Sequence, residues 1–187
     1  MKVLIHLSTL SNRKVSMSRL LSIFKQSKKS LNFLNRSEHA WFFESQQVAE
    51  VFSTLYLVTE KHKNVRQFLN QTIFTPSNGQ YASAVKANVN LIIIYPELTY
   101  LMKSGKANQA IGILFHEIGH LILDHQGRGT SNELAQIEAD LFSLELGYGE
   151  FLLSFLNEQR RSEQIEKRIL ALEKVLRIKY SSDSLQN

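Results

Sequence analysis

His116-Glu117-Ile118-Gly119-His120 lies inside the stretch Ala107–His125, ANQAIGILFHEIGHLILDH, whose reading decides the fold. Ile111, Leu114, Phe115, Ile118, Leu121 and Ile122 recur at intervals of three and four residues, as an amphipathic, mostly buried helix requires. Four residues are about one helical turn, so both imidazoles project from one face and can share a cation. Glu117 stands one residue after the first histidine, beside a water held by that cation. Zinc would lower the pKa of this water towards ~7. Glu117 is then the base that takes its proton as it attacks a carbonyl, and the acid that hands it to the leaving amine. A chance match on a solvated helix fits poorly, because two unpartnered histidines and a glutamate are costly on a buried one.

The neighbouring polar residues read more plainly. His125 follows His120 by five residues, about 500° round a regular helix and off the shared face. It reads as a packed or hydrogen-bonded histidine at the helix end, where partial positive charge is favourable. Asp124 reads as a loop residue. His6, His39 and His62 are isolated, and each reads as a surface or core side chain.

Outward from this helix, residues 13–35 space apolar groups among Arg, Lys and Ser as a basic amphipathic helix or two shorter ones. Ser45 to Phe74 is helical in pattern, and 75–79 (TPSNG) is a turn. Val89–Tyr95 is rich in β-branched residues and reads as a short strand stopped by Pro96. A short helix and Gly105 lead into the Ala107–His125 helix. After a loop at 126–131, Thr130 and Glu133 stand at capping-box spacing and open a helix that runs to Gly147. Two more helical segments follow, near 150–158 and 163–179. The fold class is therefore α+β and mostly helical. The expected organisation is a basic segment 1–37, one domain over 38–180 and a polar tail 181–187.

Composition narrows the chemistry. The 187 residues include no cysteine, so a metal must sit on nitrogen and oxygen ligands. No uncharged apolar stretch reaches the ~18 residues that cross a bilayer, and a soluble, cytoplasmic protein is expected. Met1–Leu10 is at best a weak signal peptide, with only Lys2 before its apolar run and no small-residue cleavage site. The net charge of +5 is uneven: residues 1–37 carry eight Lys or Arg and no acid, which leaves −3 for the rest. Segment 1–37 could touch a membrane surface or nucleic acid, be a targeting sequence, or simply pack on the core.

Three segments, HEIGHLILDH (116–125), IEADLFSLELG (137–147) and IEKRILALEKV (165–175), occur in an order that resembles the gluzincin metallopeptidases of the CAAX prenyl protease and HtpX heat-shock protease type. The resemblance covers roughly residues 107–178 and implies a zincin-like core: the HExxH helix, a short sheet and a second metal-bearing helix. It also implies a Zn²⁺ cofactor and a protein or peptide substrate, with Val89–Tyr95 as the edge strand that pairs with it. Arg168 occupies the family's arginine position. The family's usual His-Pro pair is replaced by Ser162-Glu163-Gln164. The phage- and plasmid-associated metallopeptidases that inactivate repressors show a similar HEIGHLxLxH and Glu-Ala-Asp pattern and compete with this assignment. The closing 165–175 segment favours the first family, although Ile165, Ile169, Leu172 and Leu176 would make the same stripe in an ordinary helix.

The family's ligand glutamate lies four residues before an aspartate that supports a metal-bound histidine. Here the aspartate is Asp140 and the preceding position is Gln136, a poor zinc ligand. The order of preference for the third ligand is Glu138, then Asp140 or Glu133, with water or Gln136 as the remaining choice. Glu138 and Asp140 differ by about 200° round a helix, so a regular helix cannot turn both to one metal. The expected function is a zinc-dependent endopeptidase with His116 and His120 as ligands and Glu117 as base. The alternatives are a metal-binding but inactive relative that acts as a regulator or structural subunit, and a protein that binds nucleic acid or membrane through 1–37.

Overall fold

The computed structural model describes residues 31–78, 81–86 and 89–184. Most of the basic segment, the possible signal at Met1–Leu10, His6 and the last three residues lie outside the described residues. The chain divides between Asn32 and Phe33, five residues before the boundary expected after residue 37. The reason is local. Phe33 and Leu34 are buried with the core, and the Arg36 guanidinium donates to the carbonyls of Asn70 and Thr72.

A 3₁₀ segment, Ser37–Glu44, leads into α1 (Gln46–Val58) and, after a 3₁₀ turn at Thr59–Lys61, into α2 (Lys63–Leu69). Three short strands follow: β1 (Thr72–Pro76), β2 (Ala82–Lys86) and β3 (Asn90–Ile94). Helices α3 (Pro96–Lys103), α4 (Ala107–Ile122), α5 (Asn132–Glu145), α6 (Gly149–Glu158) and α7 (Glu163–Ser184) complete the chain. The architecture is α+β and mostly helical. Among the described residues no helix is long and apolar enough to cross a membrane.

The sheet order β1-β3-β2 corrects two expectations. The Val89–Tyr95 strand is central: β3 pairs in parallel with β1 and antiparallel with β2. The strand that packs against α4 is β2, which is an edge. Thr72–Phe74, read from the sequence as helical, belongs to β1, which runs on through Thr75 and Pro76. Proline is tolerated there because β1 is an edge strand and Pro76 its last residue.

Beneath the sheet, Phe33, Phe42, Phe52 and Phe74 form a fully buried aromatic cluster. Phe42 and Phe52 stack with centroids 3.7 Å apart. α4 packs against α5 and α6. Glycine makes the close approach possible: a Cβ at Gly119 would lie 3.2 Å from the Phe142 ring, and one at Gly112 would lie 3.3 Å from the Tyr148 carbonyl oxygen. These two residues are seven apart, on one face of α4.

Helix ends also differ from the sequence pattern. α4 stops at Ile122, and Asp124 takes a left-handed backbone, φ 53°. α5 begins after its N-cap Ser131, which makes no side-chain cap bond, and the Thr130 hydroxyl accepts from Arg128 instead. Glu133 is not in a capping box; its carboxylate accepts from Lys167 on α7 at 2.7 Å.

Candidate metal centre

Because they stand one turn apart on α4, His116 and His120 meet: their Nε2 atoms are 3.1 Å apart. Both ring nitrogens on the far side are engaged. His116 Nδ1–H donates to Asp140 Oδ1 at 2.7 Å. Arg168 grips the same carboxylate, with Nε donating to Oδ2 and Nη2 to Oδ1, each at 2.7 Å. A carboxylate only accepts, so the His116 proton sits on Nδ1 and the lone pair on Nε2. Asp140 is fully buried. Burial alone would push its carboxyl up, but the hydrogen bonds from Arg168 and His116 outweigh it and the net shift is downward.

His120 has a different support. Its Nδ1 lies 2.7 Å from Nδ1 of His125. His125 Nε2–H donates in turn to Glu138 Oε2 at 2.9 Å, and Arg128 donates to the same carboxylate oxygen. On the side facing His116, the Gln136 amide donates to His120 Nε2 at 3.3 Å, which requires a lone pair there. Burial first, then the neighbouring His116, His125 and Arg168, pushes the His120 pKa down to about 3. His120 is thus a neutral imidazole at ordinary pH.

The two Nε2 lone pairs converge on one point, where without a cation they would repel. Imidazole nitrogen is a common zinc ligand, so these residues fit that metal as far as two donors go. Among the described residues no group of three or more His, Cys, Asp or Glu side chains gathers to hold a metal ion. Gln136 also reaches the pair, with its amide nitrogen towards His120 Nε2.

Each residue ranked for the third ligand has another partner. Glu138, the first choice, faces His125 and Arg128 instead of the paired imidazoles. The physical reason is its place on α5, well round from Asp140. Asp140 supports His116 and binds Arg168, and Glu133 pairs with Lys167 on the surface. Arg168 meets the site through Asp140 and with its own Nη2, 3.5 Å from His116 Nδ1.

His116, Glu117, His120, Gln136 and Arg168 line a cleft of about 470 Å³ whose other wall is β2, at Ala82, Ser83 and Ala84. The Ala84 backbone on β2 faces the Glu117 carboxylate across the cleft. Burial pushes its carboxyl up, against the lowering by His116, Ala84 and Arg168. A carboxyl raised in this way, beside two converging imidazole nitrogens, holds a proton more readily than a solvated glutamate does. His39 and His62 stand outside this cleft: His39 is buried in the aromatic cluster and His62 is part-buried before α2.

Sequence reading missed β2 and the contact of His125 with His120. The pairing of Glu138 with His125 followed from that contact and was missed with it. In comparisons with known proteins, no family model matches the chain, and no curated protein or solved structure matches it significantly.

Proposed function

We propose that this chain is a zinc-dependent endopeptidase built on a zincin-like core. One observation carries the reading: two imidazoles of a HExxH helix aim their Nε2 atoms at one point, 3.1 Å apart, with Glu117 in the same cleft. His116 and His120 would hold the metal; Gln136 lies beside them with its amide nitrogen towards His120, and would have to turn the amide over to offer its oxygen. Zinc, when bound, supplies Lewis acidity towards a carbonyl and lowers the pKa of water.

The residues around it have separable tasks. Glu117 takes a proton from the attacking water, whose oxygen bonds to the scissile carbonyl carbon. As the C–N bond breaks, Glu117 gives that proton to the leaving amine. Asp140 and Arg168 keep His116 in the required tautomer and orientation. The edge of β2 can pair with an extended peptide, laying it along the cleft with backbone hydrogen bonds.

The test joins elemental analysis to a casein cleavage assay. About one zinc per chain, with hydrolysis abolished by a chelator and restored by zinc, is expected. Cleavage that survives full removal of metal would overturn the proposal.

A second reading is a metal-binding relative without hydrolytic activity. Gln136 favours it, because a neutral amide stands where the resembled family has a glutamate. Zinc bound tightly with no cleavage of any peptide would select this reading.

A further inference from the structure

We infer that His125 and Glu138 are positioning residues for His120, forming a second support that runs from the surface to the point where the two Nε2 atoms meet. The inference rests on the reading of His116 and His120 as a metal pair and adds residues that the HExxH motif does not name.

The protons can be followed atom by atom. Arg128 and His125 both face the Glu138 carboxylate, which can only accept. The proton of neutral His125 is therefore on Nε2, and its Nδ1 carries a lone pair. His120 Nδ1, 2.7 Å away, is then the donor in the contact between the two rings. That leaves His120 Nε2 without a proton, aimed at His116 Nε2. The chain Arg128–Glu138–His125–His120 thus does for one imidazole what Arg168–Asp140 does for the other.

The two supports differ in depth. Asp140 is fully buried and Arg168 nearly so, whereas the Glu138 and Arg128 side chains are 30% and 45% exposed. His125 itself is buried, whereas His120 is half-buried and both line the cleft. The backbone makes the contact possible: α4 ends, Asp124 turns left-handed, and the His125 N–H donates back to the His120 carbonyl at 3.2 Å. A residue that a continuing helix would carry to the opposite side is folded back onto its own last turn. Metal affinity is then adjustable from the surface through Glu138.

The test reads the tautomer before it reads the metal. Nitrogen-15 NMR of the metal-free protein is expected to show His120 protonated at Nδ1. In His125→Ala that preference is lost, and zinc affinity, measured by competition with a chromophoric chelator, falls about 10–100-fold. His125→Asn, whose amide oxygen can accept from His120 Nδ1–H, recovers part of both. Glu138→Ala, a change at a part-exposed position, gives a smaller shift of both in the same direction and serves if His125→Ala does not fold. Unchanged His120 tautomer and zinc affinity in a folded His125→Ala or Glu138→Ala variant would overturn the inference. A parent protein that binds no zinc would instead sink the metal reading, while the NMR comparison would still decide whether the support exists.

Discussion

Arg168 holds Asp140 by two hydrogen bonds of 2.7 Å each, tying α7 to α5 at a carboxylate that also fixes His116. Removing the arginine would leave Asp140 buried with its charge only partly compensated. Arg168→Ala is expected to lower stability by about 3–5 kcal/mol, read from urea unfolding. Arg168→Met combined with Asp140→Asn should lose less than the sum of the two single changes, since no buried charge is left unpaired. A single-variant loss below ~1 kcal/mol would mean that the pair is solvated like a surface ion pair.

Phe33 is fully buried and stacks on Tyr56 with centroids 5.5 Å apart, while its ring meets Phe74 edge-on at 5.6 Å. Phe33→Ala is therefore expected to cost about 3–5 kcal/mol. A chain that starts at Arg36 lacks both Phe33 and Leu34 and should show the same defect or fail to fold. The measurement is a denaturant midpoint, with circular dichroism to confirm helix content. A chain starting at Arg36 with the parent's midpoint would show that the basic segment is separable where the charge pattern alone divides it.

His39 gives a pH dependence remote from the metal pair. Its Nδ1–H donates to the Phe33 carbonyl at 2.6 Å, and its Nε2 accepts from the Phe74 N–H at 3.1 Å. The bond from Phe74 needs a lone pair on Nε2 and hence the neutral ring, and desolvation by burial lowers the His39 pKa from 6.5 against the raising effect of the Phe33 carbonyl. The unfolded chain therefore binds the extra proton first as pH falls. The stabilisation is fully present above 6.5 and is lost as pH drops from there towards the folded-state pKa. Unfolding midpoints at about pH 7.5 and 5.5 should differ more for the parent than for His39→Phe, which has no titrating ring. Equal pH dependence in the two proteins would contradict this role.

The parts of the fold legible in the sequence are those set by short-range periodicity. α4 was readable because its apolar residues recur every three to four positions, and the same period brings His116 and His120 together. β2 was not readable: Ala82-Ser83-Ala84 has no strong strand preference, and its pairing with β3 and α4 is tertiary. His125 was misplaced by extending the helix past Ile122, whereas the chain reverses at Asp124. That reversal occupies Glu138, which the Glu-Ala-Asp pattern had made first choice as third ligand. The separate orientations expected for Glu138 and Asp140 on one helix are seen, each carboxylate under a different histidine.

The central claim is that Glu117 acts as the base beside zinc held by His116 and His120. Its most direct test compares the zinc-loaded parent with Glu117→Gln, measuring bound zinc and peptide hydrolysis on the same samples. The substitution keeps the size of the side chain and removes the proton acceptor. Equal zinc content and a fall in hydrolysis of about 10²–10⁴-fold are expected. A Glu117→Gln protein that cleaves as fast as the parent, or a zinc-loaded parent that cleaves nothing, would contradict the claim.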